Sequence, residues 1–420
     1  MSFEKGLKKK LMSISKNTVK KYKIVSDRSF HMKKKEAIIN RKSLVVTTVA
    51  STLDQFCMND IKTLQKSTKV YVAANFNTGN NTSKERVKEF KSELKKKGII
   101  FNEINMNRNP FNMDNLSAYQ DIKKLIEENH FHIIHCHTPV AAMLVRIAAR
   151  KVRENGTKVI YTAHGFHFYN GAPIKNWLIY YPVERWLSKY TDVLITINQE
   201  DYERARSSFN AIKTKSIPGV GIDTEKFNRL DLNRELKRQE IGLPKKSFVV
   251  LSVGELNNNK NHETVIKAIS RVNNPNVYYV ICGQGALEDY LRKLIQDLGM
   301  EKQIKLLGFR NDVAEIYRVA DIFAFPSFRE GLSVALMEAM ASGLPIICSK
   351  IRGNVDLVKE QKGGYLIKPE DVNEYHRYIK QLINDADLRS DMGLFNKEYL
   401  NEFDNKKVKQ YIDNIYKECI

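Results

Sequence analysis

The sequence predicts an α/β chain of two Rossmann-like, doubly wound domains facing across a cleft. Three observations predict it. The 420 residues, 42% of them apolar, are too many for one ordinary core and enough for two. Short apolar runs bounded by turn residues alternate with helical patterns, which is the cadence of a parallel sheet. That cadence stops at Ile217-Pro-Gly-Val-Gly-Ile-Asp223 and then begins again.

Taken in order, residues 43–50, 69–74, 132–135, 158–163 and 192–198 read as short buried strands, with helical stretches such as 119–129, 140–155 and 177–189 between them. Beyond the Gly/Pro punctuation, strands are expected at 248–253, 277–282, 304–307, 321–325 and 345–348, and helices at 262–270, 286–298, 312–319 and 332–341. A last helical stretch, 406–416, follows a polar break and is expected to pack on the first domain. The resulting division is a basic arm, 1–35, a first domain, 36–216 with 403–420, and a second domain, 217–402. Ligands of such sheets bind outside the carboxyl ends of the strands, so the cleft is the expected site.

The net charge of +21 calls for an acidic counterpart, and its distribution narrows the choice. Residues 1–42 hold fourteen Lys or Arg against three acidic residues, a net of +11 in a tenth of the chain. That arm reads as a tether. Met32-Lys-Lys-Lys also reads as a natural start, which would make residues 1–31 an extension. Five scattered cysteines, an odd number mostly inside apolar runs, suit buried thiols in a reducing compartment. No stretch reaches the roughly 20 apolar residues of a membrane span, and the basic start lacks a signal peptide's apolar core. A cytoplasmic location is expected.

The segment Ala324-Phe-Pro-Ser-Phe-Arg-Glu-Gly-Leu-Ser-Val-Ala-Leu-Met-Glu-Ala-Met-Ala-Ser-Gly-Leu-Pro345 reads as strand, turn, helix, cap and next strand. Gly331 lets the backbone bend closely, and the N–H groups of Leu332 and Ser333 are expected to face the cleft, where a helix N-terminus suits a diphosphate. Glu330 and Glu338 lie about 12 Å apart at helical rise. That is about the reach from the sugar of a nucleotide-sugar to its ribose.

Glu330-x7-Glu338 within "FPSFREGLSVALMEAMASGLPII" resembles the signature of glycosyltransferase family 4, retaining enzymes with the GT-B fold, and the similarity runs over nearly the whole chain from about residue 43. The resemblance implies that Glu330 orients the donor sugar and Glu338 holds the ribose. "LSVGELNNNKNHETVIKAI" resembles the opening of the family's donor domain, with Lys260 matching the lysine that neutralises the donor phosphates and Gly254 the glycine over which they pass. Many members carry Arg after that glycine, where this chain has Glu255; the role of Glu255 stays open, and Arg310 or Arg352 is a candidate for the missing charge. Gly283-Gln-Gly285 resembles the Gly-rich turn beside the donor, and "LLGFRNDV", with Arg310 and Val313, the loop whose backbone reads the base.

In the first domain, "HIIHCHTP" and "VIYTAHGFHFY" each place histidines at a strand's carboxyl end. His164 resembles the family histidine that contacts the donor sugar; His137, His167 and Tyr169 are acceptor-side candidates. A neutral imidazole can bond a sugar hydroxyl there. Strand alternation sets Cys136 opposite His135 and His137, and no second spaced cluster completes a metal site, so no metal is expected. The aromatic and basic stretch 170–190 reads first as a core-facing amphipathic helix, and second as a lipid-interface surface.

The resemblance implies retaining transfer without a cofactor, from a UDP-sugar to a polyprenyl-diphosphate-linked saccharide, as in bacterial capsule, exopolysaccharide or O-antigen synthesis. The enzyme would sit peripherally on the anionic inner face of the plasma membrane. Front-face attack, with the diphosphate taking the acceptor proton, is expected because no carboxylate is placed as a covalent nucleophile. A basic α/β protein that binds nucleic acid or membrane without transferase activity is the alternative. No helix-turn-helix, aromatic RNA-binding set or zinc finger supports nucleic acid as a partner. A nicotinamide-dependent oxidoreductase is excluded by "TTVAST" where a G-x-G-x-x-G should follow the first strand.

Overall fold

A computed structural model describes residues 41–228 and 232–419. The expected basic arm, 1–35, lies outside them. Two compact units are present, one running up to Val159 and resuming at Tyr416, the other spanning Ile160–Ile415.

In the first unit, β1 (Lys42–Val49), β2 (Lys69–Asn75), β3 (Ile100–Glu103) and β4 (Ile133–His137) lie in the order β3-β2-β1-β4, with every neighbouring pair parallel. β1 and β4 are buried along nearly their whole length, which is why they read as continuous apolar runs. β4 extends past the expected 132–135 and carries His137 inside the ladder. After β1 the chain turns through a π-helical turn, Leu53–Cys57, into helix α1 (Met58–Leu64).

The second unit begins in β5 (Lys158–Ala163), whose neighbours in order are β6 (Val193–Thr196) and β7 (Lys213–Ser216), all parallel. Helix α2 (Ile174–Ser188) separates β5 from β6, and α3 (Gln199–Ser208) follows β6. A six-stranded parallel sheet comes next: β8 (Phe248–Val253), β9 (Val277–Cys282), β10 (Ile304–Leu306), β11 (Ile322–Phe325), β12 (Ile346–Ser349) and β13 (Gly364–Ile367), in the order β10-β9-β8-β11-β12-β13. The order reverses between β8 and β11, so the loops after these two strands diverge and leave a crevice at their carboxyl ends. Those loops carry Lys260 and Glu330. Val250, Ile281, Ile322, Ala324 and Ile347 form the centre of the buried core beneath them.

Two helices differ from expectation. The helix after β11 is α4 (Val334–Ala341) and starts two residues late, because the Ser333 side chain accepts from Leu336 N and caps it. Leu332 and Ser333 therefore precede the helix instead of forming its first turn. In α2 the expected core-facing stripe is turned outward: Ile174 is 76% and Leu178 72% exposed, while Glu184, Leu187 and Ser188 are the buried positions.

Candidate active site

Four loops of the second unit meet in a cavity of about 280 Å³ lined by His164, Gly165, Phe166, His167, Asn259, Arg329, Glu330, Gly331 and Arg352. They follow β5, β8, β11 and β12, the last carrying Arg352. Behind the lining residue Glu330, Lys260 Nζ donates to Glu330 Oε1 at 2.6 Å, both side chains being largely buried. The ammonium also lies 4.7 Å from the centre of the Phe325 ring. Gly254 makes room for this lysine, since a Cβ there would press on the Lys260 stem.

Close backbone approach explains the glycine after Glu330. A Cβ on Gly331 would collide with the His164 carbonyl oxygen, so only glycine brings the β5 and β11 loops this near. Gly283 (φ +157°) and Gly285 similarly admit the backbone of residues 254–256; the Gly-rich turn supports the Lys260 loop from behind.

His164 is packed so closely that burial lowers its imidazole to about 4, and it is neutral near pH 7. His167 is also lowered, by burial first and then by the charges of Arg329 and Arg352; its ring centre lies 4.7 Å from that of Tyr180. Tyr169 lies under the Arg352 guanidinium at 4.8 Å.

Arg352 is a structural clamp. It donates to the Phe166 carbonyl at 2.9 Å, to Asp201 Oδ1 at 2.8 Å and to the Glu330 carbonyl at 3.3 Å. Asp201, wholly buried in α3, also accepts from Phe166 N and Asn198 Nδ2. The charge of Arg352 is thus neutralised inside the fold. Arg310 is likewise engaged, bound to both oxygens of Asp312 and to Glu240, and Val313 starts the helix beyond that loop. Arg329, by contrast, is exposed, lines the cavity and makes no ion pair among the described residues. Asn259 Nδ2 donates to its carbonyl at 3.0 Å. Sequence reasoning missed Arg329, Asn259 and Asp201, although Arg329 directly precedes Glu330.

Glu338, one turn into α4, is mostly buried, and burial raises its carboxyl; Tyr317, which bonds it, opposes the rise. His137 falls in the first unit, fully buried beside His135 and Asp60.

Comparison with known proteins places these features in context. Residues 64–226 match the family model described as Glycosyltransferase Family 4, and residues 233–399 that described as Glycosyl transferases group 1. A protein of Bacillus subtilis (strain 168) named as a glycosyltransferase, EpsD, is 38% identical over 317 residues, covering 74% of this chain and 83% of that one. An Escherichia coli protein named UDP-Gal:alpha-D-GlcNAc-diphosphoundecaprenol alpha-1,3-galactosyltransferase is 32% identical over 315 residues, covering 72% and 81%. Among solved structures, Anabaena Alr3699/HepE in complex with UDP matches with a TM-score of 0.73 at 21% identity, over 90% of this chain and 100% of that one.

Proposed function

The chain belongs to glycosyltransferase family 4 and has the GT-B fold class, and on that premise we propose that it is a retaining enzyme moving a sugar from a UDP-sugar to a polyprenyl-diphosphate-linked saccharide in surface polysaccharide biosynthesis. The observation that carries this reading is that Glu330 lines one cavity with a neutral His164 and is held there by Lys260. A cation, a hydroxyl-accepting carboxylate and an imidazole answer in turn to the diphosphate, the sugar hydroxyls and the reacting centre of such a donor.

Lys260 and the exposed Arg329 neutralise the leaving diphosphate, the second taking the part that Glu255 leaves open. Glu330 orients the sugar and forms no bond to it; the acceptor oxygen attacks from the face that the diphosphate leaves, and its proton passes to a diphosphate oxygen. Glu338 holds the ribose, while His167 and Tyr169 belong to the acceptor side; His137, sealed in the first unit, is not placed to touch an acceptor. The uridine base and the lipid-linked acceptor rest on the name of the Escherichia coli relative and on the UDP bound by the Anabaena protein. The family models part between residues 226 and 233, which supports a donor domain of 217–402.

No described helix is long and apolar enough to cross a membrane. Peripheral attachment at an anionic cytoplasmic face is supported by α2, where Ile174, Leu178, Ile179, Val183 and Trp186 are exposed beside Lys175 and Lys189. The reading is tested with a panel of UDP-, GDP- and ADP-sugars, assayed for hydrolysis and for transfer to lipid-linked acceptors. Activity unchanged by both Glu330→Gln and Lys260→Ala overturns the site.

A further inference from the structure

In the first unit α1 carries Asp60 to the carboxyl end of β4, where alternation along the strand sets His135 and His137 on one face. Asp60 Oδ2 lies 3.5 Å from His137 Nε2 and 4.0 Å from His135 Nδ1, and the two imidazole centres are 4.2 Å apart. One ligating atom from each residue falls within 4.8 Å of the other two. We propose that Asp60, His135 and His137 form a binding site for a first-row divalent cation, zinc by the chemistry of its ligands.

Bonds of about 2.0–2.2 Å at tetrahedral angles keep ligand atoms roughly 3.3–3.6 Å apart. The two Asp60 spacings, 3.5 and 4.0 Å, lie within half an ångström of that range. Two imidazoles with one carboxylate are the set that borderline cations such as zinc prefer over magnesium or calcium. The histidines are sealed at 0% and 1% exposure, and the Asp60 side chain keeps 12%, so the cation enters past the carboxylate. The Tyr416 hydroxyl, 2.7 Å from His135 Nδ1, would give up this hydrogen bond when the cation takes that nitrogen.

Two further features mark this strand end. Thr138, a β-branched residue, has a left-handed φ of +66°, a costly conformation that clusters at functional positions. A π-helical turn, of the kind often found at such positions, leads into α1. The bound ion would pin α1 to β4 and fix the ring of His137; no step of sugar transfer passes through it.

The test uses the full chain without a histidine tag, stripped with a chelator and titrated with Co²⁺ and Zn²⁺. One equivalent of Co²⁺ should bind with visible d–d bands, zinc should displace it, and zinc should raise the Tm. Asp60→Asn and His135→Gln should each weaken binding more than about 100-fold, the upper end of what an outer-shell change costs. The proposal is overturned if the wild type takes up no stoichiometric metal, or if Asp60→Asn binds cobalt as the wild type does. Should a variant fail to fold, the wild-type cobalt spectrum decides alone, because bands lacking nitrogen-ligand character contradict the assignment.

Discussion

Arg352 Nη1 stands 2.8 Å from Asp201 Oδ1, and both side chains are almost completely buried. The pair ties α3 and the loop after β12 to the loop after β5 through the Phe166 carbonyl and amide, and Arg352 reaches the loop after β11 at the Glu330 carbonyl. Removing one partner of a buried pair leaves the other charge uncompensated, at a cost of about 3–5 kcal/mol. Asp201→Asn and Arg352→Met should therefore each lower unfolding stability by that order in urea titrations. In whatever fraction folds, kcat should fall as well, because His164 and Gly331 lose their common support. A variant that keeps full stability and full turnover would show that the clamp is dispensable.

Lys260→Ala should reduce kcat/KM for the sugar donor about 10²- to 10³-fold, the scale of losing one preorganised electrostatic contact to a developing anion. Arg329→Ala should cost less, since its side chain is exposed, and should raise KM for the donor more than it lowers kcat. Steady-state donor hydrolysis separates the two. Equal effects on KM and kcat in both variants contradict the division of roles.

His164 binds its proton less readily in the folded protein than in the unfolded chain: about 4 against an ordinary 6.5. Between those pH values the unfolded chain holds a proton that the folded one does not, so stability rises with pH across that window and levels off above it. His164→Gln should flatten that slope in thermal unfolding measured from pH 4 to 7. At neutral pH the imidazole carries no charge, so the variant should lower kcat/KM without moving the acid limb of the pH profile. A limb near 6.5 that disappears in the variant would falsify the neutral assignment.

Leu178→Asp and Trp186→Ser, both on the exposed side of α2, should weaken sedimentation with anionic vesicles several-fold and leave hydrolysis of a soluble donor unchanged. Neutral vesicles supply the comparison. Undiminished binding in the double variant would assign attachment elsewhere.

Strands with unbroken apolar runs, such as β8 (Phe248–Val253) and β9 (Val277–Cys282), were legible because both faces are buried. β3 and β7 were not: β7 reads Lys-Thr-Lys-Ser, and it is held by its ladder to β6, which leaves no apolar pattern in the residues. Boundaries moved where a side chain decides them, as Ser333 does for α4. In α2 the apolar and basic residues were visible, yet which face is buried depends on long-range packing that no local period records. Lys260 and Glu330 were placed by motif. Asp201, Asn259 and Asp60 were not, because a single polar residue meeting others through tertiary contact leaves no periodic trace. Of these, Asp201 had a signal three residues upstream, since Asn198 caps the helix that carries it.

The 2.6 Å contact between Lys260 and Glu330 also bears on competition inside a cell. An unpaired ammonium in a cavity of this kind would attract any abundant phosphate compound. Here the lysine already holds a partner, so a newcomer must replace both ends of that bond. Free nucleotides and inorganic phosphate offer an anion to the lysine and abandon the carboxylate. On the proposed reading, a nucleotide-sugar would satisfy each at once, diphosphate to one and hydroxyls to the other. With the roles proposed above, the resting contact would act as a filter, admitting the compound that presents both chemistries and turning away the more plentiful anions that present only one.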